Sequence, residues 1–192
     1  FNMSTSGPLH AHLFFNDNNH EKYKAAYFNH GESSQWIHGD YIIVHDNGGI
    51  EILGRSDSTL NPGGIRIGTA EFYQILERVP EVLDCLVSST IVDNEEKIVL
   101  FLKLAHQKSL TSELKRTIRY KLKEDASPRH MPHMIYQVSE IPYTKNGKKC
   151  EVGVKKILRG ETVSLQKSTL LNEHAYDEYL IFSTTISATK QD

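Results

Sequence analysis

The sequence predicts an α+β fold built on a small three-stranded sheet that is covered by helices. Two long apolar stretches, Val82–Val92 and Lys97–Leu104, are separated by a short acidic turn and have the composition of paired strands. Segments with helical periodicity lie on both sides of this pair, and a third strand-like stretch follows. The order helix, strand, strand, helix, strand, helix over residues 69–160 is typical of a compact layer of helices on a sheet.

The composition is that of a soluble globular protein and argues against several functional classes. Of the 192 residues, 39% are hydrophobic and 24% are charged, a balance typical of folded domains. A formal net charge of -2 gives no general attraction to nucleic acid or to acidic membranes, so neither is an expected partner. No apolar run is long enough to span a bilayer, and the N-terminus does not have the pattern of a signal peptide.

Cysteine and histidine usage indicates neither a disulfide framework nor a metal site. Cys85 and Cys150 are the only cysteines and lie far apart in the sequence, which fits a reducing compartment such as the cytoplasm. The ten histidines are scattered without metal-ligand spacing, and no metal ligand is predicted. Residues 1–12 lack any periodicity, and we interpret them as a tag or a disordered segment outside the fold.

Residues 13–56 are predicted to be the end of a larger N-terminal domain. A short amphipathic helix over His20–Phe28 places its aromatic residues on one side. Two apolar runs, Trp36–His45 and Ile50–Leu53, flank an Asn-Gly turn, which is a strong hairpin signal. Because one helix and one hairpin bury too little surface to be stable alone, we expect them to be the remnant of a larger domain.

Residues 57–160 carry the predicted sheet, which begins with a helix. Thr69 can cap this helix, its apolar residues follow helical spacing to about Arg78, and Pro80 ends it. The two long strands follow, joined by an acidic turn at residues 93–96. An unbroken apolar run in the second strand, from Ile98 to Leu102, predicts that this strand is covered on both faces.

A second helix, a third strand and a last helix complete this domain. Either Thr111 or Ser112 caps the second helix, which has an apolar stripe on one face and basic residues on the other. Met134–Val138 is the predicted third strand, and a short amphipathic helix follows Cys150. The tail, residues 161–192, is polar except for a cluster of tyrosine, leucine, isoleucine and phenylalanine that we expect to dock on a surface.

Two polar stretches before the sheet are candidates for a functional site. Asp40 begins a predicted strand, where its carboxylate can accept both hydroxyls of a ribose or can be a simple turn residue. Arg55 and Asp57 precede a Gly-Gly pair ending at Gly64, and Arg66 follows it. Glycine permits a close backbone approach and arginine binds anions, so this stretch is either an anion-binding hinge or a tight turn with surface arginines.

The third candidate is the polar loop from Ile141 to Lys149. Its Asn-Gly pair favours a tight turn that would project Lys148 from the loop tip. A lysine in this position can deliver a positive charge into a site and withdraw it again. The alternative is an ordinary solvated lysine turn.

The order of these candidates resembles that in the C-terminal part of the adenylate-forming acyl-CoA synthetases. The matching motifs are Phe15-Asn-Asp-x-x-His20, Trp36-x-His-Gly-Asp40, Gly54-Arg-Ser-Asp-x-Thr-Leu-Asn61, Arg66-Ile-Gly-Thr-Ala-Glu71 and Ile141-Pro-Tyr-Thr-x-Asn-Gly-Lys-Lys149. The resemblance covers roughly residues 13–182. The residues of these motifs are most similar to those of the branch that activates acetoacetate. It implies that residues 57–160 are the mobile C-terminal domain of such an enzyme.

The resemblance also implies a role for each matching residue. Asp40 would hold the ribose hydroxyls of ATP or AMP, Arg55 would also contact the nucleotide, and Asp57 would be the hinge of the mobile domain. Gly64 would leave room for the pantetheine arm of CoA, and Arg66 would lie beside it in the thioester-forming state. Lys123 and the basic helix face would bind the CoA phosphates, with a merely solvated face as the alternative.

Lys148 resembles the lysine that these enzymes require for adenylation. When a carboxylate attacks the α-phosphate of ATP, negative charge builds on oxygen atoms that a fixed ammonium group can stabilise. The implied small-molecule substrates are acetoacetate, ATP and CoA, which would give acetoacetyl-CoA, AMP and pyrophosphate. The implied Mg²⁺ would be held, like most of the triphosphate, by the large N-terminal domain.

Two features qualify the resemblance, and two other interpretations stay open. Ser58 stands where the superfamily commonly has a second acid, and the phosphate loop, acyl pocket and adenine pocket lie outside this sequence, so the isolated chain is expected to be inactive. One alternative is a noncatalytic module that binds a nucleotide or a partner through Arg55, Arg66 and the basic helix. The other is a sibling synthetase for acetate, propionate or another acid.

Overall fold

The computed structural model describes residues 2–3, 17–28, 36–161, 170–172 and 174–188 of the chain. They divide into two compact units, one ending at Asp57 and the other beginning at Ser58. Most of the segment 1–12 and part of the predicted tail lie outside the described residues.

The described residues of the first unit form one helix and two short antiparallel sheets. Its elements in order are β1 (Asn2–Met3), α1 (Glu21–Tyr27), β2 (Trp36–Ile37), β3 (Asp40–Val44) and β4 (Ile50–Arg55). Strand β1 pairs with β2, and β3 pairs with β4. The predicted helix and hairpin are therefore present, and β1 is a strand that the sequence did not predict.

One face of the β3–β4 hairpin is apolar and exposed. Val44 pairs with Ile50 and Ile42 pairs with Ile52 across the two strands, which places these four side chains on the same face. Val44, Ile50 and Ile52 expose 63%, 60% and 67% of their surface. We call these four residues the apolar hairpin face.

The second unit is the predicted three-stranded sheet with its helices. Its elements are α2 (Ala70–Leu76), β5 (Val82–Val92), β6 (Glu95–Leu104), α3 (Ser112–Asp125), β7 (Met134–Gln137), α4 (Glu151–Leu158) and α5 (Ala175–Ala188). The strand order is β5-β6-β7, with β5 antiparallel and β7 parallel to the central strand. The predicted α+β fold is confirmed.

The central strand β6 is covered on both faces, as its unbroken apolar run predicts. Ile98, Leu100 and Leu102 pack in one hydrophobic cluster with residues of α2 and α3. Val99 and Phe101, which point the other way, pack in a second cluster with residues of α4 and α5. All five side chains are fully buried, so β6 contributes to the hydrophobic core on both of its faces.

Local signals at the element ends were partly right. Thr111 caps α3, because its hydroxyl accepts a hydrogen bond from the Leu114 N–H at 3.1 Å. Thr69 does not cap α2: its own backbone is already helical and its side chain makes no capping bond, so that prediction is wrong. The predicted turn at residues 93–96 is also shorter than expected, since Asp93 and Asn94 alone form it and both have positive φ.

The tail docks through the apolar cluster that the sequence indicated. In α5, Tyr176 and Tyr179 are buried, and the ring centroid of Tyr179 lies 4.6 Å from that of Phe101. Leu180 and Ile181, which belong to the same predicted cluster, are instead exposed. No helix in the described ranges has both the length and the apolar character that crossing a membrane requires.

Candidate active site

Three of the predicted site residues meet at the open end of the β3–β4 hairpin. Asp40 begins β3, Arg55 ends β4, and the two are directly paired across the strands. The Arg55 guanidinium lies 3.7 Å from the Asp40 carboxylate and 3.5 Å from the Asp57 carboxylate. The predicted nucleotide residues and the predicted hinge residue thus form one charged cluster.

His38 joins this cluster, although the sequence analysis gave it no role. Its Nδ1 contacts the Asp40 carboxylate, and its carbonyl oxygen accepts a hydrogen bond from Arg55 Nη1 at 3.4 Å. Gly39 between them has a φ of 84°, a left-handed conformation that favours glycine. The signal for His38 was its place two residues before the candidate carboxylate in the same motif.

The cluster has the chemistry that a nucleotide sugar requires. The Asp40 side chain is 21% exposed, so its carboxylate is largely sheltered while Arg55 and Asp57 are open to solvent. An ionised carboxylate has lone pairs for about four hydrogen bonds, which leaves capacity for a ribose diol beside its contacts with His38 and Arg55.

The Gly-Gly turn is open on its outer side. Pro62–Gly64 form a 3₁₀ turn in which Gly63 and Gly64 have φ of 61° and 82°. A Cβ built on Gly64 would have no heavy atom within 4 Å. The conformation itself therefore favours glycine here, and the space in front of Gly64 is free for a group from outside this unit.

Glu96 holds the segment that leads into this turn. Its Oε1 accepts a hydrogen bond from the Asn61 N–H at 3.1 Å, and it lies 3.9 Å from Lys155 and 3.6 Å from Arg159. Lys155 also donates to the Thr59 carbonyl at 3.0 Å. From the sequence, Glu96 was placed in a turn and these contacts were not predicted, because the partners of Glu96 come from distant parts of the chain.

Lys148 lies at the tip of the predicted loop. The Thr144 N–H donates to the Lys148 carbonyl at 2.8 Å, and the Lys148 N–H donates to Thr144 Oγ1 at 3.1 Å. Gly147 takes the left-handed conformation that the Asn-Gly pair predicts, with a φ of 74°. The Lys148 side chain is exposed, so the loop presents its ammonium group outward.

The next lysine in the chain has a different environment. Lys149 Nζ lies 2.6 Å from Asp84 and 4.3 Å from the ring centroid of Tyr73. Tyr143 donates its hydroxyl to the other Asp84 oxygen at 2.8 Å. Burial raises the pKa of Tyr143, and the hydrogen bond to Asp84 raises it further, so the phenol stays protonated and keeps donating.

The other predicted CoA contact lies on α3. Lys123 is exposed near the end of this helix, with its Nζ 4.0 Å from Glu124. Arg119, from the same basic face, has a structural use, since it donates to the carbonyls of Pro132 and His133 at 3.1 and 3.2 Å. Lys123, Lys148 and the Gly-Gly turn lie on three different elements of the second unit.

The acidic, histidine and cysteine side chains of the described residues are not clustered. In that part of the chain, no three or more His, Cys, Asp or Glu residues are grouped so that they could hold a metal ion. Both cysteines are buried free thiols, and burial raises the pKa of Cys85 to about 12. The raised pKa keeps the Cys85 thiol protonated near neutral pH.

Two solved structures that match this fold are an acetoacetyl-CoA synthetase and a CoA ligase. The acetoacetyl-CoA synthetase from Streptomyces lividans matches with a TM-score of 0.79 and 33% identity over 90% of this chain and 26% of that chain. The anthranilate CoA ligase AuaEII in complex with anthranoyl-AMP matches with a TM-score of 0.57 and 27% identity over 69% of this chain and 25% of that chain. The chain is therefore similar in fold and sequence to about a quarter of each of these two enzymes.

The curated relatives described next are all acetoacetyl-CoA synthetases. The acetoacetyl-CoA synthetase of Caenorhabditis elegans is 45% identical over 87% of this chain and 24% of its own length. Those of Rhizobium meliloti and Gallus gallus are 43% and 44% identical over 86% of this chain and 25% of their own lengths. No protein-family model matches the sequence. The chain spans about a quarter of these relatives and corresponds to a segment of the acetoacetyl-CoA synthetases.

Proposed function

We propose that this chain is the C-terminal part of an acetoacetyl-CoA synthetase, an acid–thiol ligase. The complete enzyme would convert acetoacetate, ATP and CoA to acetoacetyl-CoA, AMP and pyrophosphate. The observation that carries the proposal is the 45% identity to the Caenorhabditis elegans acetoacetyl-CoA synthetase over 87% of this chain. The proposal places the enzyme in the cytoplasm, where the two buried thiols would stay reduced.

In this proposal the hairpin cluster binds the nucleotide. Asp40 accepts the two ribose hydroxyls of ATP and then of AMP. Arg55 holds that carboxylate from the paired strand and places a positive charge beside the nucleotide. Support comes from the 3.7 Å distance between the Arg55 guanidinium and the Asp40 carboxylate, which places the two groups side by side.

Lys148 acts in the first half-reaction. The acetoacetate carboxylate attacks the α-phosphorus, the bond to pyrophosphate breaks, and acetoacetyl adenylate forms. The Lys148 ammonium stabilises the negative charge that builds on the oxygen atoms during this step. Its exposed place on the loop tip supports this role. Mg²⁺ would neutralise triphosphate charge when bound, in the part of the enzyme outside this sequence.

The Gly-Gly turn acts in the second half-reaction. The CoA thiol attacks the acyl carbon, AMP leaves, and the thioester forms. Gly64 leaves room for the pantetheine arm, Arg66 lies beside it, and Lys123 attracts the CoA phosphates. Rotation about Asp57 would exchange the Lys148 loop for this turn, so that one site carries out both steps.

The isolated chain is expected to have no turnover. The phosphate loop and the acyl and adenine pockets belong to the large N-terminal domain, and the apolar hairpin face is the kind of surface such a domain would cover. Incubation of the purified chain with acetoacetate, ATP, Mg²⁺ and CoA should release neither AMP nor pyrophosphate. Acetoacetate-dependent release of either product would refute this expectation.

The role of Lys148 is tested by Lys148→Ala in the complete synthetase that contains this chain. Adenylation, measured as acetoacetate-dependent exchange of pyrophosphate into ATP, should fall by about 10²–10³-fold, the usual cost of removing one group that stabilises charge in a transition state. Thioester formation from supplied acetoacetyl adenylate and CoA should stay near the unmodified rate.

Lys145→Ala is the matched control, because Lys145 is an exposed lysine in the same loop. It should leave both half-reactions near the unmodified rates. If Lys148→Ala changes neither half-reaction, the chain is a noncatalytic binding module instead. If pyrophosphate exchange depends on acetate or propionate and not on acetoacetate, the enzyme is a sibling synthetase.

A further inference from the structure

The Asp84 carboxylate contacts both ends of the loop that carries Lys148 and connects them to the sheet. Tyr143 and Lys149 face each other across the base of the loop in an antiparallel bridge. Tyr143 donates its hydroxyl to one oxygen of Asp84 at 2.8 Å, and Lys149 Nζ lies 2.6 Å from the other oxygen. Because each strand of the loop contributes one partner, Asp84 closes the loop onto β5.

The same contacts are sheltered from solvent. The side chains of Lys149 and Asp84 are only 22% and 24% exposed, so their ion pair is less screened than one on an open surface. Lys149 also donates to the Cys85 carbonyl. Its ammonium group lies 4.3 Å from the ring centroid of Tyr73, a cation–π contact that fixes its direction further.

Further hydrogen bonds hold the base of the loop. The Tyr143 N–H donates to Asn172 Oδ1 at 3.2 Å, and the Tyr143 carbonyl accepts from the Leu171 N–H at 2.8 Å. The Cys150 N–H donates to the Pro142 carbonyl at 2.9 Å. The base of the loop is therefore rigid, and the short stretch 144–148 projects from it.

We propose that Asp84 is a positioning residue for Lys148. It does not touch the reacting atoms; it acts through Tyr143 and Lys149, whose places set the direction in which the loop tip extends. The proposal rests on the proposed role of Lys148 in adenylation. Direction matters there, because a displacement of about 1 Å in a catalytic group can cost about 10²-fold in rate.

The rival explanation is that Asp84 only stabilises the fold. The two explanations differ in which half-reaction they affect. A loss of positioning slows adenylation, where Lys148 acts, and leaves thioester formation unchanged, since that step uses the Gly-Gly turn on a different element. A loss of folded protein lowers both half-reactions by the same factor.

The experiment is Asp84→Asn in the complete synthetase that contains this chain. The amide keeps the size of the side chain and removes the charge that holds Lys149. Pyrophosphate exchange should fall about 10-fold to 10²-fold, and thioester formation from supplied acetoacetyl adenylate should change less than about twofold. Tyr143→Phe, which removes one hydroxyl and keeps the ring, should slow exchange in the same selective way.

Glu77→Gln is the matched control, because Glu77 is an exposed carboxylate that lines the same cavity of about 250 Å³ as Asp84 and Lys149. It should leave both half-reactions near the unmodified rates. The Tyr143→Phe result decides the question if Asp84→Asn does not fold.

Two results would overturn the proposal and leave the proposed function intact. In one, Lys148→Ala abolishes exchange while Asp84→Asn and Tyr143→Phe leave it unchanged. In the other, these two variants slow both half-reactions by equal factors, which is the signature of a structural role. If Lys148→Ala itself leaves exchange unchanged, the proposed function fails first, and the positioning role fails with it.

Discussion

His133 is a residue whose neutral form the fold favours. Its Nδ1 accepts a hydrogen bond from the Ile98 N–H at 3.1 Å, which only an unprotonated ring nitrogen can do. Burial lowers the pKa of His133, and the positive charges of Lys97 and Arg119 lower it further, while Glu95 acts in the opposite direction. Protonation therefore competes with a hydrogen bond next to the central strand.

This predicts a loss of stability in acid. The unfolded-state pKa of histidine is about 6.5, and the folded value is lower, so below that pH the unfolded state binds more protons. His133 thus adds to the free energy of unfolding above about pH 6.5, and this part is lost as the pH falls through the folded pKa. His133→Asn keeps an acceptor atom but cannot titrate, so urea unfolding between about pH 7.5 and 5 should show a flatter pH dependence.

His106→Asn is the control for that measurement, since His106 is exposed in a loop. Its pH dependence should match that of the unmodified chain. Parallel curves for the unmodified and His133→Asn chains would contradict the prediction.

At the residue scale, the structure separates neighbouring lysines that have different environments. Lys148 and Lys149 are adjacent residues of the same type, and the Asn-Gly turn signal points to Lys148 without showing what Lys149 contacts. The structure separates them because Asp84, the partner of Lys149, comes from a strand 65 positions away in the sequence. Glu96 was missed for the same reason, since its partners Asn61, Lys155 and Arg159 are distant in the sequence.

Helix α5 shows how docking depends on two or three side chains. Tyr179 is fully buried, donates its hydroxyl to the Glu140 carbonyl at 3.2 Å, and packs against Phe101 with ring centroids 4.6 Å apart. Its neighbour Leu180 is 51% exposed. The helix thus packs, through its aromatic residues, against the face of β6 that carries Phe101.

Tyr179→Ala should therefore lower the free energy of unfolding by about 3–5 kcal/mol, as for other large aromatic residues truncated in a core. Leu180→Ala, one position along the same helix, should change it by less than about 0.5 kcal/mol. Urea unfolding of the two variants measures the difference. Equal effects would mean that α5 is docked through a different face.

At the element scale, the sequence predicted the strands and helices of the second unit well and their ends less well. Helical periodicity and apolar runs predict an element because they reflect which of its faces are buried. The apolar run of β6 is the clearest case. Ends depend on single hydrogen bonds and on turn geometry. Thr111 and Thr69 are the same residue type before a helix, yet Thr111 is extended and caps its helix, while Thr69 is already helical and cannot.

The two units of the molecule differ in how much core each contains. Both large hydrophobic clusters consist of residues from Leu60 onward. Among the side chains of the first unit whose burial is described, Trp36 alone is both hydrophobic and buried, and the sheets of its described residues have two strands each. That one helix and one hairpin are too little for an independent core stays a prediction, and the role of each site residue depended on resemblance.

The core distribution predicts how the chain behaves when it is divided. A chain from Ser58 to Asp192 contains both clusters and should unfold in one cooperative transition, with a Tm within about 4 °C of that of the full chain. Residues 1–57 alone should show no cooperative transition, because two-stranded sheets without a larger core are marginal in water. Thermal unfolding followed by circular dichroism and calorimetry measures both. If the Ser58–Asp192 chain loses its cooperative transition, the second unit requires the first for its stability, and the two hydrophobic clusters are not sufficient by themselves.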